Sequence, residues 1–193
     1  MKALHVSAAV CLALSFAAIS LILLVVEPRM GFTETADYFN PVKLQAASTS
    51  GVWLTGDILY LLMGLALAGL AWFYPNLYTR TSAILAGTGF ILLACFGRSL
   101  AMLPANYYNP QVVPPAILGI VTVRFAVLKA TVLITAFFAW RTTVPNRGEK
   151  IRGVPTRLFG YVILIAGITF VFVFLPLPIL FTIWAIWLAF AKS

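Results

Sequence analysis

Few side chains in this 193-residue sequence can carry chemistry, and the most conspicuous are charges inside apolar runs: Asp57, Arg98, Arg124 and Lys129. An ionised group in hydrocarbon is costly, so such residues face a protein interior or water and take partners. Asp57 lies about five residues inside one end of an apolar run, and Arg98 about five or six residues inside the matching end of the next. At about 1.5 Å per residue both sit ~8–9 Å below the same surface of an antiparallel hairpin. An Asp57–Arg98 ion pair across that hairpin is therefore expected, neutralising two expensive groups and fixing the register of two helices. Tyr60, three residues beyond Asp57 on the same helical face, can donate a hydrogen bond to the carboxylate.

Arg124 and Lys129 find no further acid inside any run. Five residues apart, they are separated by about 140° around a helix and do not fit one narrow cleft without bending. Lys129 can snorkel or meet backbone carbonyls, and Arg124 can reach Glu27, Glu34 or Asp37 from the first long loop. Three uses of Asp57, Arg98, Arg124 and Tyr60 stay open: a structural ion pair; a small electropositive cavity, open to the outside, for an anionic or polar ligand; or a contact with acids on another subunit. Lys129 is the further candidate for such a partner contact.

Other chemistry is missing from the sequence. His5 is the single histidine, too few for histidine-ligated haem pairs or most zinc sites. Cys11 and Cys95 fall in apolar runs and read as small buried hydrophobes. There is no nucleophile elbow, phosphate-binding glycine loop or zinc-protease helix, and no carboxylate pair for acid–base work or Mg²⁺. No catalytic residue, metal site or cofactor is expected, and an enzyme is the reading with least support. A coupled transporter is weakened by the lack of an inverted repeat and of a second carboxylate in the runs.

These charges need apolar helices to hold them. The chain is 62% hydrophobic and 9% charged, with mean hydropathy +1.02, whereas soluble domains carry about 25% charged residues. The expected fold class is all-α: a polytopic integral membrane protein in one domain, residues 1–193, built as a bundle of about six transmembrane helices. The expected spans are about 3–26, 51–73, 82–103, 115–140, 158–174 and 177–191. The first run is too long for a signal peptide and lacks a small-x-small cleavage site. The last apolar stretch would make one helix of about 50 Å, well beyond a bilayer core, and Pro176-Leu177-Pro178 divides it.

Lys and Arg favour short cytoplasmic loops. With the N-terminus inside, Lys2, Arg80, Arg141, Arg147, Lys150, Arg152, Arg157 and Lys192 are cytoplasmic, against Arg29 and Lys43 outside, so both chain ends are expected in the cytoplasm. Trp53, Trp72, Trp140, Trp184 and Trp187 fall toward run ends, as interfacial anchors do. The net charge of +8 is explained by this topology, and no nucleic-acid partner is expected. Arg147, Lys150, Arg152 and Arg157 form a basic connector that sets topology and can contact anionic lipid, at about 1 kcal/mol per side chain. Ala83 with Gly87 and Gly160 with Gly167 have the spacing of helix-packing seams.

The long first outer loop, Asp57 opening a span, Arg80-Thr81-Ser82-Ala83 at the next, and residues 155–167 (PTRLFGYVILIAG) together resemble uncharacterised bacterial six-span membrane families, domains of unknown function. That resemblance implies a six-helix fold in a bacterial inner membrane and carries no activity or catalytic residue across. The favoured expectation is a non-catalytic integral membrane subunit or accessory protein of a larger membrane complex, energy-transducing ones included. Its partners would be membrane lipids and other integral membrane subunits. The alternative is a small channel, transporter or ligand-binding protein that uses the Asp57, Arg98, Arg124 cluster.

Overall fold

Asn40, Ser50 and Asn76 each stand just ahead of a helix and satisfy amides that the first turn leaves without partners. The Asn40 side chain accepts from the Val42 and Lys43 amides, Ser50 from Trp53, and Asn76 from Tyr78 and Thr79. In the computed structural model, which describes residues 2–103, 115–145, 150–151, 154–172 and 177–191, seven helices follow. They are α1 (Lys2–Arg29), α2 (Pro41–Ser48), α3 (Gly51–Ala71), α4 (Leu77–Ala101), α5 (Pro115–Thr143), α6 (Thr156–Phe170) and α7 (Leu177–Phe190). Near its end α1 loosens into a π turn, Ile22–Val26. A 3-10 turn, Thr35–Phe39, and a two-residue antiparallel ribbon, Lys150–Ile151 with Val154–Pro155, complete the described elements.

Among the described residues, four helices are long and apolar enough to cross a membrane: Lys2–Arg29, Gly51–Ala71, Leu77–Ala101 and Ile117–Thr143. With 15 and 14 residues, α6 and α7 are only about 20 Å long, short of the ~30 Å hydrocarbon core. The expected span 177–191 matches α7 to within one residue, while α6 ends four residues before the close of the expected span 158–174, whose residues 173–174 lie outside the described residues. Other boundaries move outward: α1 runs on through Glu27 to Arg29, α5 runs on to Thr143, α6 starts two residues early, and α4 starts five residues early because Asn76 caps it.

Packing runs around the bundle. α1 lies between α7 and α3, α3 packs on α4, α4 on α5 and α5 on α6, while a smaller contact between α6 and α7 closes the set. Leu12, Phe16, Met63, Phe90, Phe138 and Trp184 are among the side chains filling its centre. Helices approach closely where one side lacks a side chain: Gly87 meets the Gly64 backbone across α3–α4, Gly160 meets Thr143, and Gly167 meets Ala136 across α5–α6. Trp184 departs from the anchor role expected of it. It is fully buried and donates to Thr142 Oγ1 at 3.0 Å, with its ring edge-on to Phe138 of α5.

Candidate functional site

One end of the bundle carries the charges. The Ser50 cap starts α3 so that Trp53, Asp57 and Tyr60 follow at spacings of four and three, on a shared face. Opposite Asp57, α4 presents Gly97 and Arg98. A Cβ on Gly97 would run into the Asp57 carboxylate, so glycine is what lets the carboxylate lie against the backbone of α4. Arg98 Nε donates to Asp57 Oδ2 at 3.1 Å, and Arg124 Nη2 from α5 faces Oδ1 at 3.6 Å. Asp57 is 4% exposed, Arg98 37% and Arg124 20%. The Arg124 guanidinium also lies over the Trp53 ring, 5.1 Å from its centroid, a cation–π contact that strengthens where water is excluded.

Of the residues singled out by sequence, the structure brings Asp57, Arg98 and Arg124 into one cluster and leaves Lys129 apart. Lys129 is half-buried and makes no hydrogen bond or ion pair among the described residues. Tyr60 does not bond to Asp57. Its ring turns into the bundle and stacks on Phe90, with centroids 6.0 Å apart. Of the basic connector, Arg157 is exposed at the start of α6 and Lys150 lies in the ribbon, while Arg147 and Arg152 lie outside the described residues.

Sequence reasoning missed Tyr38 and Gly97, and it placed Glu27, named as within reach of Arg124, in the outer loop and Trp53 at the interface. The expectation of no second acid inside a span is corrected: Glu27 is carried into the bundle by the last turn of α1, where it is 6% exposed and accepts a hydrogen bond from the Tyr38 hydroxyl. Arg124 is close enough to act on it electrostatically. Trp53, expected at the interface, is 6% exposed. A phenylalanine cover over the cluster explains this, since Phe32 packs on both Tyr38 and Trp53, and Phe125 on both Tyr38 and Phe39. The readable signal was the pair Gly97-Arg98 at matched depth to Asp57; the folding back of the loop left none.

That loop is tied down by Asp37. Its Oδ2 accepts from the Thr33 and Glu34 amides at 2.8 and 2.9 Å, and its Oδ1 pairs with Lys43 Nζ at 2.5 Å. Lys43 also donates to the Gly31 carbonyl at 2.7 Å, where Gly31 turns the chain with φ +88. The Lys43 hydrogen bond, then the two amides, hold the Asp37 carboxyl well below the usual range. Burial, and then the Glu27 charge beside it, hold the Tyr38 hydroxyl protonated far above the ordinary tyrosine range.

Beneath this cover is a cavity of about 430 Å³, within the ~300–1,000 Å³ typical of small-molecule sites. Its wall is mostly apolar: Phe16 and Ile19 from α1, Met63 from α3, Leu128 from α5, Phe170 ending α6 and Phe181 from α7. Ser20, Tyr38 and Tyr60 give it a few polar edges, and its rim includes Leu24 and Ile179, which are exposed. No group of three or more metal-ligating side chains occurs among the described residues.

Comparison with models of known families, with curated proteins and with solved structures finds no match.

Two outcomes test this geometry. Asp57→Asn strands two cations, one mostly buried, and is expected to cost about 3 kcal/mol. Arg98→Gln leaves Arg124 on the carboxylate and should cost about 1 kcal/mol. Unfolding of both variants in detergent would measure the difference, and equal costs would remove Arg124 from the pair. A lowered Asp37 pKa gives a contribution that is complete above the unfolded value and lost only as pH falls through the folded one. The Thr33 and Glu34 amides should therefore keep their exchange protection at about pH 4, where a free aspartate is half protonated. Loss of protection by that pH would show that the carboxylate is not held by Lys43.

Proposed function

We propose that this chain is a small integral membrane protein that binds an apolar or amphiphilic molecule at the charged end of its bundle. The cavity of about 430 Å³ beside a neutralised charge cluster carries this reading. Its apolar wall removes hydrocarbon from water at roughly 25 cal/mol per Å², and the few polar groups at one end supply orientation. Six helical segments with both termini in the cytoplasm are supported by the eight cytoplasmic Lys and Arg against two outside, and this topology turns the cavity to the outer side. The resemblance to bacterial six-span families supports an inner-membrane location, and the exposed Arg157 supports contact between the basic connector and anionic lipid.

Native mass spectrometry of the protein released gently from its own membrane is expected to reveal one retained molecule per chain. Ser20→Phe, which fills the cavity, and Leu24→Trp, which closes its rim, should both lose it. A bare wild-type mass under conditions that preserve loosely held lipids would sink the reading.

Lys129 favours a second reading, an accessory subunit of a larger membrane complex, since a half-buried ammonium with no partner among the described residues suits an acid on another chain. Lys129→Ala should then reduce the partner recovered with the protein several-fold. Undiminished recovery would dismiss this cation as the contact.

A further inference from the structure

Resting on the binding reading above, we infer that the bound molecule is electrically neutral and carries a carbonyl or hydroxyl head, which sits in a small chamber between Glu27 and Arg124 while its apolar body fills the larger cavity. The chamber has a volume of about 60 Å³ and is lined by Glu27, Tyr38, Trp53, Tyr60 and Arg124 among others. It adjoins the larger cavity, with which it shares Tyr38, Tyr60 and Leu128.

Neutrality follows from the charge count. Asp57 faces both Arg98 and Arg124, and Glu27 lies near Arg124, so the buried acids and bases of the cluster match in number; Glu34, which also lines the larger cavity, is exposed. Without Glu27 the site would be electropositive and would suit an anion; with it, a third charge of either sign would be unpaired in surroundings that solvate it poorly. The polarity of the head follows from the donors. Trp53 Nε1 is buried and without a hydrogen-bond partner; it comes within reach of the Glu27 carboxylate but lacks the geometry of a bond to it. The Tyr60 hydroxyl has no hydrogen bond among the described residues. Arg124 directs Nη2 at Asp57 and keeps further N–H groups. Against these donors the chamber offers the remaining oxygen of Glu27, whose other oxygen already accepts from Tyr38. A buried donor left unpaired costs about 1–3 kcal/mol, and an acceptor entering from the apolar cavity relieves it. A hydroxyl satisfies both sides, accepting from Trp53 or Arg124 and donating to Glu27.

The same carbonyl chemistry can come from the ester of a membrane phospholipid or from a free apolar compound. The test therefore uses the full chain, with ¹⁵N-labelled tryptophan, in nanodiscs of ether-linked phospholipid, which has no acyl carbonyl, and in nanodiscs of the ester-linked equivalent. Trp53→Phe assigns the Trp53 indole resonance. Methyl decyl ketone and dodecanol are titrated beside dodecanesulfonate and dodecyltrimethylammonium, whose charges are permanent. In ether-lipid discs the ketone should bind saturably and shift the Trp53 indole N–H, the two charged probes should bind at least about tenfold more weakly, and Trp53→Phe should weaken the ketone by up to about tenfold. If ester-lipid discs already display the shifted resonance and the ketone competes with it, the lipid is the natural source of the carbonyl. Saturable ketone binding that Leu24→Trp abolishes, with an unmoved indole or with charged probes bound as well, would overturn the neutral acceptor head and leave the binding reading standing. No saturable binding by any probe, with identical indole resonances in both lipids, would overturn both and leave the chamber to water, for which it has room.

Discussion

The structure turns on one buried carboxylate. Asp57 is brought into an apolar bundle at a depth where an unpaired ion is not tolerated, so α4 and α5 must each deliver a guanidinium to it, and α4 must also give up a side chain at Gly97 to let it in. These three demands fix the register of α3, α4 and α5 at the charged end. Farther along the same α3–α4 pair, Gly64 against Gly87 fixes the approach distance. A slide of one residue would turn Gly97 away and drive a β-carbon into the carboxylate, so polar and steric constraints select the same alignment.

The second acid changes what such a cluster can do. Arg98 and Arg124 around Asp57 alone would leave an excess positive charge inside the bundle and an obvious place for an anion. Glu27 offsets that excess at the cluster itself, and it does so from a different helix by way of a folded loop. The Asp37–Lys43 pair and the Gly31 turn hold the loop, the loop holds Tyr38, and Tyr38 holds Glu27. Local capping chemistry some distance along the chain therefore determines the electrostatic character of the interior, through hydrogen bonds that are each worth about 1 kcal/mol.

How much of this is legible in the sequence depends on whether the signal is local. Helix class and the four long apolar helices follow from hydropathy, and the proximity of Asp57 and Arg98 follows from equal depth on adjacent antiparallel helices. Helix ends follow less well: a polar residue such as Glu27 reads as the start of a loop, although its buried bond to Tyr38 makes it the end of a helix. Trp53 and Trp184 read as interfacial anchors from their position near run ends, yet both are buried, because hydropathy reports depth along a span and says nothing about which face meets neighbouring helices. Tyr60 shares a face with Asp57 by periodicity, but its ring stacks on Phe90 of α4 instead.

The cavity sits against the ends of the last two described helices. Phe170 at the end of α6 and Leu177 in the first turn of α7 both line the cavity wall, together with side chains of α1 and α5. Pro178 at the start of α7 suits a helix beginning there, since proline is tolerated in the first turn where its missing N–H has no partner to lose. An apolar cavity leaves the side chains of its wall short of contacts, a cost that is offset only when something apolar occupies it. An open apolar space next to unpaired donors is thus unfavourable on both counts when empty, and both deficits are relieved by the same kind of molecule.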